Sequence, residues 1–253
     1  MPIRTSVAGR IAEVLLDHPP VNALDSAGWA ELARTITEIG GRDDVSVVLL
    51  VAEGRGFCAG VDIKELARDA KLITKVNKGC YDAFAAIHDC PVPVVAAAHG
   101  FVLGGGIGLV GSCDVILASD DATFGLPEID RGALGAASHL LRMFPIQKVR
   151  KMLYTGEPIT AAEAYRLGAL EAVVPRPDLR ATARALAAKI AAKSPKALRL
   201  AKESLNGIEL LDLKKSYRFE QGFTLELYTS PDSQEARDAF VQKRGATFTD
   251  QGK

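Results

Sequence analysis

Three consecutive glycines, Gly104-Gly105-Gly106, are the residues whose types and spacing most directly suggest chemistry. They follow the apolar, strand-like run Val94–Ala98 and open the segment IGLVGSCDVILAS. Glycine has no Cβ and tolerates a positive φ, so the backbone here can approach a ligand closely. If a helix begins at this point, its first N–H groups have no partner within the helix and can bind negative charge. A strand, a glycine turn and a helix start therefore predict an oxyanion site made of backbone N–H groups.

Two other interpretations of these glycines stay open at this point. Gly106, Gly108 and Gly111 spell G-x-G-x-x-G, the fingerprint of dinucleotide-binding proteins. That fold requires a full crossover helix after the glycines, within a unit of about 30 residues. Only Ser112 and Cys113 separate the last glycine from the next strand-like run. A helix of about two turns fits there, which disfavours a dinucleotide oxidoreductase. The other alternative is a glycine-rich packing turn that binds no ligand.

The composition is that of a soluble globular enzyme. The chain has 253 residues, 48% of them hydrophobic and 25% charged, and Lys+Arg and Asp+Glu both total 31. The zero net charge gives no electrostatic argument for a nucleic acid or a membrane as partner, so we expect neither. No apolar run approaches the ~20 residues of a membrane span, and the N-terminal MPIRTSVAGR lacks the apolar core of a signal peptide.

Cysteine and histidine usage predicts a reduced protein without a metal site. Cys58, Cys80, Cys90 and Cys113 show no C-x-x-C spacing. We interpret them as reduced thiols, in the core or near the site, of a cytoplasmic protein. The four histidines form no signature such as H-E-x-x-H, so no metal is expected.

Apolar runs alternate with helical patterns and predict the elements that position the glycines. Strands are expected at residues 11–16, 45–52, 92–98, 114–118 and 172–174. Ser26 is expected to cap a helix that runs to about Ile39. From about Asp178 the pattern becomes helical, with a new helix start at Ser194-Pro195 and further helices over residues 212–228 and 232–243. This alternation predicts an α/β fold with a mostly parallel sheet, against which, or against a neighbouring subunit, the C-terminal helices pack.

Five segments occur in order along nearly the whole chain: PPVNAL, GRGFCAGVDIKE, PVVAAAHGFVLGGGIGLVGSCDVILAS, FGLPEIDRG and DAFVQKR. Together they resemble the crotonase, or enoyl-CoA hydratase/isomerase, superfamily. The resemblance implies a spiral of ββα units followed by helices that build trimers, often paired into hexamers. We accordingly expect a crotonase-like core at residues 1–190 and an oligomerisation region at residues 191–253. It also implies an acyl-CoA thioester as substrate, so that coenzyme A enters with the substrate and no separate cofactor is needed.

The resemblance also assigns an oxyanion hole for the thioester carbonyl. Its donors are the N–H groups of Val61, after Ala59-Gly60, and of Gly105, after Gly104. This agrees with the interpretation of the glycines from their chemistry alone, and one such donor contributes roughly 2.7–4 kcal/mol in other enzymes. A tight loop needed only for packing is the alternative for residues 59–61.

Contacts to the rest of coenzyme A are implied as well. In relatives the backbone at the positions of Asp62, Ile63 and Lys64 contacts the adenine, and nearby basic side chains meet the phosphates. Lys64 and, from a neighbouring subunit, Lys243 are the candidates for phosphate contacts. Each of the two is equally well explained as an ordinary solvated lysine.

The carboxylates decide which reaction the resemblance implies. Family hydratases use two glutamates, and the first falls on Gly108 here, so it is missing. The second is Glu128, which follows Pro127 and whose charged form an apolar pocket would disfavour, as suits a proton-exchanging group. Water addition shared between two carboxylates is therefore in doubt. A salt bridge at a subunit contact is the structural alternative for Glu128.

Three neighbouring residues complete the candidate site. Asp130 would share one face with Glu128 if the chain is extended there, although a local turn would separate the two carboxylates. Arg131 offers a planar fork for Asp130 or for a substrate carboxylate, and a purely structural pair is an equal alternative. His139 is best interpreted as a core histidine with satisfied nitrogens rather than as a site residue.

The segment FGLPEIDRGALGAASHLLR, with the two glycine loops, resembles one branch of the superfamily more closely than it resembles the generic hydratases. That branch contains actinobacterial enzymes that open a cyclic keto ring on a CoA thioester by hydrolysis during steroid catabolism, with Glu128 or Asp130 as the group that would activate water. Three alternatives remain: an enoyl-CoA isomerase that needs only Glu128, a weak enoyl-CoA hydratase, and a non-catalytic CoA-thioester binding protein.

Overall fold

A computed structural model describes residues 3–193, 195–209, 213–229 and 231–246. The strands are β1 (Ile3–Ala8), β2 (Ile11–Leu16), β3 (Ala23–Leu24), β4 (Val47–Ala52), β5 (Gly60–Val61), β6 (Val94–Ala98), β7 (Phe101–Leu103), β8 (Val115–Ser119), β9 (Thr123–Gly125), β10 (Ile159–Thr160) and β11 (Ala172–Val174). The α-helices are α1 (Ser26–Gly40), α2 (Ile63–Arg68), α3 (Ile73–His88), α4 (Gly105–Ser112), α5 (Ala137–Met143), α6 (Ile146–Thr155), α7 (Ala161–Arg166), α8 (Arg176–Ala191), α9 (Pro195–Ile208), α10 (Leu213–Tyr228) and α11 (Pro231–Gln242). Short 3-10 turns lie at Ala70–Leu72 and Pro127–Arg131. The expected helix starts at Ser194 and Asp212 lie outside the described residues.

Six strands form the main sheet, in the order β1-β2-β4-β6-β8-β11. All neighbours are parallel except β1 and β2, so the expectation of a mostly parallel sheet is confirmed. Strand β4 shows why its sequence is a continuous apolar run. Val48 and Leu50 face the core that contains α1, α3 and α4, whereas Val47 and Leu49 face α8 on the other side. A parallel strand covered on both faces needs apolar side chains in both directions.

The chain repeats one unit: a strand of the main sheet, a short strand, then a helix. The short strands pair with each other in a second layer, β3 with β5 and β7 with β9. The predicted spiral of ββα units is therefore confirmed. A backbone bridge between Cys58 and Val102, with the Leu103 N–H donating to the Cys58 carbonyl at 2.9 Å, joins the segments that lead into β5 and α4. This second layer brings the two glycine loops together.

The first helix begins as expected, but its cap is Asp25 rather than Ser26. Asp25 has extended backbone, and its Oδ1 accepts a hydrogen bond from the Gly28 N–H at 2.7 Å. Ser26 is already helical, and its hydroxyl donates to Glu65 Oε1 at 2.7 Å. The prediction was wrong because either residue type is a good cap, and the carboxylate one position earlier satisfies the first turn.

The C-terminal helices pack on the core of the same chain. Helix α8 covers the outer face of the sheet through Leu179, Ala183 and Ala187. Helix α10 packs on α3 and α5, and α11 packs on α2 and on the turn Pro127–Arg131. In the described part of the chain, no helix has the length and apolar character that a membrane crossing requires.

Candidate active site

A cavity of about 360 Å³ lies between the glycine loops, α3 and the C-terminal helices. Its walls are mostly apolar, and the polar or charged side chains among them are few. Those side chains are Asp62, Lys64, Asn77, Cys80, Glu128, Arg131, Tyr217, Tyr228 and Arg237. A small number of polar groups in an apolar cavity is typical of a site that orients one ligand.

The two glycine loops touch at Gly60 and Gly105. Gly60 has a φ of +89°, and a Cβ built on it would lie 2.8 Å from the Gly105 nitrogen. Real Cβ atoms essentially never come so close, so only glycine fits at position 60. Gly60 and Gly105 are 45 positions apart in the sequence, yet their two loops form one backbone surface.

Both proposed oxyanion donors point away from their own secondary structure. The Asp62 N–H donates to the Leu24 carbonyl at 2.9 Å. Because successive residues of a parallel strand direct their N–H groups to opposite sides, the Val61 N–H points away from β3. Gly105 is the first residue of α4, so its N–H has no acceptor within the helix. Val61 and Gly105 both line the cavity, which makes a shared oxyanion geometrically accessible.

Glu128 lies directly at these loops. It sits in the turn Pro127–Arg131, which starts with proline, and it lines the cavity. A Cβ built on Gly104 would collide with Glu128 Oε1, and Gly104 has a φ of +56°. The carboxylate therefore occupies the space that a side chain at position 104 would need, immediately beside the first turn of α4.

Asp130 does not join Glu128 in the cavity. Residues 127–131 form a 3-10 turn instead of an extended segment, so side chains two positions apart do not share a face. Asp130 is exposed, and its Oδ2 lies against Gly156 at the end of α6. The extended arrangement considered from the sequence is thus wrong, and among the described side chains Glu128 is the only carboxylate of the cavity besides Asp62.

Arg131 lines the cavity but forms no ion pair with Asp130 within the described residues. Its Nη1 donates to the Pro127 carbonyl at 2.8 Å, and its guanidinium lies 4.5 Å from the centre of the Phe240 ring. The turn is thereby fixed to α11, so Arg131 holds the loop that carries Glu128.

Gly108, where hydratases carry their first glutamate, is sealed by an aromatic ring. Gly108 is buried in α4, and a Cβ built on it would overlap the Phe84 ring. Phe84 in turn packs edge-on against Trp29 and Tyr217, with ring centres 5.6 and 5.2 Å apart. The Phe84 ring therefore fills the space that a side chain at position 108 would need.

The close packing of Phe84 on Gly108 predicts that a larger residue at position 108 lowers the free energy of unfolding. Gly108→Ala should lower the free energy of unfolding by about 1–3 kcal/mol because the methyl group overpacks the core against Phe84. Adding Phe84→Leu should recover part of that loss, which a double-mutant cycle in urea unfolding would measure. Gly207→Ala is the matched control, since Gly207 is also helical and has no atom within 4 Å of a built Cβ. Additive losses in the double variant would contradict the contact.

His139 lies next to this aromatic cluster and outside the cavity lining. Its ring is fully buried, 4.8 Å from the Phe84 ring centre and 5.0 Å from that of Tyr217. Neither ring nitrogen has a hydrogen-bond partner among the described residues, so the expectation of a satisfied core histidine is right about the core and wrong about the hydrogen bonds. Burial, together with the positive charge of Arg142, lowers the pKa of His139 to about 3.

The depressed pKa of His139 predicts acid sensitivity. Because the folded protein binds this proton only near pH 3, the unfolded state takes it up first, at a pH near 6.5. Stability should therefore fall as the pH drops below about 6.5, with His139 accounting for about 2 kcal/mol at pH 5. His139→Leu should flatten the dependence of the unfolding free energy on pH between about 7.5 and 5 by that amount. An unchanged slope would show that His139 protonates in the folded state.

The residues expected to contact coenzyme A lie at the mouth of the cavity or beyond it. Asp62 caps α2, its Oδ1 accepting from the Lys64 N–H at 2.9 Å, and Ile63 follows it. Lys64 is exposed and borders the cavity. Lys243 is exposed just after α11 and does not border the cavity of its own chain.

Several cavity residues were not recognised from the sequence. Asn77 and Cys80 share the cavity-facing side of α3 with Phe84, and helical spacing at positions 77, 80 and 84 was the available signal. Burial raises the pKa of the Cys80 thiol well above its ordinary value and that of Cys58 to about 12, so neither is a nucleophile at neutral pH. Tyr228 and Arg237 come from α10 and α11, and no sequence motif linked them to the glycine loops. No group of three potential metal ligands occurs among the residues that the structure describes.

Comparison with known proteins identifies the family and several similar proteins. The family model described as "Enoyl-CoA hydratase/isomerase" matches residues 6–251. A Rhodococcus jostii protein named (7aS)-7a-methyl-1,5-dioxo-2,3,5,6,7,7a-hexahydro-1H-indene-carboxyl-CoA hydrolase is 55% identical over 92% of this chain and 91% of its own. A Mycobacterium tuberculosis protein of the same name is 49% identical over 96% of this chain and 100% of its own. The crystal structure of an enoyl-CoA hydratase from Mycobacterium avium subsp. paratuberculosis superposes with a TM-score of 0.88 at 26% identity, covering 99% of both chains.

Proposed function

The chain belongs to the enoyl-CoA hydratase/isomerase family, and we propose that it opens the ring of a cyclic keto-acyl-CoA by hydrolysis in steroid catabolism. The name of the two relatives describes a fused bicyclic diketone with a methyl group at a ring junction, which corresponds to two rings of a steroid. The observation that carries the proposal is the pattern of carboxylates at the oxyanion loops: among the described side chains of the cavity, Glu128 is the only carboxylate besides Asp62, which caps α2. Glu128 is present, whereas Phe84 fills the place of a second one at Gly108.

In the proposed reaction Glu128 acts twice, first as a base and then as an acid, and two backbone N–H groups hold the oxyanion. Glu128 takes a proton from water, and the water oxygen bonds to the carbon of a ring ketone. The adjacent ring C–C bond then breaks, and its electron pair passes to the conjugated thioester carbonyl as an enolate. The N–H groups of Val61 and Gly105 hold that oxyanion. Glu128 returns the proton to carbon, and the former ketone leaves the reaction as a carboxylic acid still tethered to the thioester.

A substrate panel tests this assignment. We expect the enzyme to turn over the bicyclic 1,5-dioxo CoA thioester, which chromatography of the CoA esters would detect. Hydration of crotonyl-CoA should be slower than in family hydratases by about 10²-fold or more, because one positioned acid/base is missing. A β,γ-enoyl-CoA belongs in the panel, since an isomerase would need only Glu128. Crotonyl-CoA hydration at a rate normal for family hydratases, or isomerisation as the fastest reaction, would contradict the proposal.

We further propose that Lys64 and, from a neighbouring subunit, Lys243 meet the phosphates of coenzyme A, and that the backbone at residues 62–64 contacts the adenine. The position of Lys64 at the mouth of the cavity supports its part. The four free, buried cysteines support a cytoplasmic location, which we also propose.

Self-association is proposed as a trimer or a pair of trimers. Leu200, Leu205 and Val241 on the C-terminal helices are 54%, 63% and 54% exposed, and large exposed apolar side chains favour an interface. Analytical ultracentrifugation should give a mass near three or six times 26.9 kDa. A monomer at micromolar concentration would contradict this proposal.

A further inference from the structure

Arg237 and Tyr228 form a second polar cluster in the cavity, where the end of α10 meets α11. The Arg237 guanidinium lies 3.8 Å from the centre of the Tyr228 ring. Its Nη1 donates to Ser233 Oγ at 2.5 Å and to the Tyr228 carbonyl at 3.3 Å, and its Nη2 donates to Gln234 Oε1 at 2.6 Å. Both side chains line the cavity. The cluster is therefore rigidly held and faces the ligand space.

The charge of Arg237 is buried among neutral hydrogen-bond acceptors, and burial lowers the pKa of its guanidinium in spite of the neighbouring Asp238. The residue is only 4% exposed, yet all of these acceptors are neutral oxygens. Within the described residues it forms no ion pair with a carboxylate. A buried cation without a counter-ion is costly, so an anion in the cavity would relieve it.

Tyr228 adds a hydroxyl group that can donate a hydrogen bond to a ligand. It is 4% exposed, and its hydroxyl has no hydrogen-bond partner among the described residues. Burial raises the pKa of Tyr228 to about 12, so the hydroxyl is neutral and can donate at physiological pH. The cluster thus presents a cation and a neutral hydroxyl donor to the cavity.

We propose that Arg237 and Tyr228 bind the carboxylate that ring opening creates. This assignment rests on the proposed function and deepens it: the substrate is a cyclic ketone whose cleaved acyl carbon stays tethered to the thioester and becomes a carboxylate within the cavity. The Ser233 hydroxyl donates to the Gly132 carbonyl while it accepts from Arg237, which ties the cluster to the turn that carries Glu128. In this arrangement the new carboxylate forms between Glu128, which activates water, and the guanidinium of Arg237.

The deep burial of Arg237 argues against a role with the phosphates of coenzyme A. Phosphate groups of the substrate's carrier would lie near the cavity mouth, where Lys64 is exposed. A guanidinium at 4% exposure instead suits a small carboxylate on the acyl group, which it can hold by two parallel hydrogen bonds.

Calorimetric binding of unreactive CoA thioesters tests the subsite. Pimeloyl-CoA, which ends in a carboxylate, should bind the wild-type protein about 10- to 100-fold more tightly than heptanoyl-CoA of the same chain length. Arg237→Met should abolish that preference and leave the affinities for heptanoyl-CoA and free CoA unchanged. Tyr228→Phe, which removes only the hydroxyl, should reduce the preference by about 2- to 10-fold and keeps the test decisive if Arg237→Met does not fold.

Arg34→Met is the matched control, because Arg34 is an exposed arginine of α1 paired with Glu38. The absence of any preference for pimeloyl-CoA in the wild-type protein would overturn the proposal. Equal losses of affinity for all three ligands in Arg237→Met would also overturn it, since the residue would then bind the CoA moiety. Binding of pimeloyl-CoA needs no turnover, so this test is independent of the proposed reaction. If the protein prefers pimeloyl-CoA but does not open the ring, the carboxylate subsite is supported and only the proposed reaction is wrong.

Discussion

Replacing Glu128 by glutamine should lower kcat for ring opening by about 10²–10⁴-fold, the usual cost of losing a positioned acid/base. Glutamine keeps the size of the side chain beside Gly104 but cannot accept a proton from water. Substrate binding should change little, because the oxyanion donors at Val61 and Gly105 are backbone groups. Steady-state kinetics with the bicyclic substrate, together with calorimetric affinity for free CoA, would separate the two effects.

Asp130→Asn is the informative comparison for Glu128→Gln. It makes the same chemical change two residues away, on a side chain that is exposed and lies against Gly156. The Asp130 variant should keep most of its turnover. If Glu128→Gln leaves kcat intact while Asp130→Asn abolishes it, the turn must rearrange when substrate binds, and the assignment of Glu128 is wrong.

Gly60→Ala should lower kcat by about 10²–10³-fold, comparable to the removal of one oxyanion donor. The added methyl group would lie 2.8 Å from the Gly105 nitrogen, so the two glycine loops must separate. Two donors that no longer face one small volume cannot hold a single oxyanion. The measurement is kcat for ring opening, with the melting temperature recorded beside it.

Gly168→Ala provides a control for backbone strain. Gly168 has a φ of +84°, close to the +89° of Gly60, but no atom lies within 4 Å of a Cβ built there. Both variants should lose some stability from the positive φ, while only Gly60→Ala should lose turnover. Similar kcat values for the two variants would mean that the contact between the loops does not matter for catalysis.

The glycine loops and the parallel strands were predictable because their signals are local. Gly104-Gly105-Gly106 follows an apolar strand, and the segment between these glycines and the next strand is long enough only for a helix of two turns. Strand β4 reads as continuously apolar because both of its faces are covered. In each case the residues that determine the element are neighbours in the sequence.

Two expectations failed because residue spacing determines neither the local backbone turn nor the hydrogen-bond partners of a buried side chain. Asp130 would have faced the cavity from an extended segment, but the proline-led segment closes into a 3-10 turn. His139 was expected to find hydrogen-bond partners, yet the surrounding rings of Phe84 and Tyr217 offer none to its nitrogens. The first outcome depends on the local backbone after Pro127, and the second depends on how separate elements pack around His139.

For other site residues, the contacts that bring them to the site could not be predicted from the sequence. Phe84 fills the space at Gly108 only because α3 packs on α4, and Arg237 reaches the cavity only because α11 packs on the turn that carries Glu128. These contacts join segments that are 24 and more than 100 positions apart, by the residue numbers. A pattern of residue types along the chain does not encode them, whereas the tertiary structure shows them directly.

The most direct test of hydrolytic ring opening is the fate of oxygen from labelled water. The bicyclic 1,5-dioxo CoA thioester is incubated with the enzyme in water carrying a heavy oxygen isotope, and the product is analysed by tandem mass spectrometry. We expect one labelled oxygen in a new free carboxylate, with the thioester to coenzyme A intact and a ring C–C bond broken. Label in the carboxylate released from the thioester together with free CoA, or in a hydroxyl group on an unopened ring, would contradict hydrolytic ring opening.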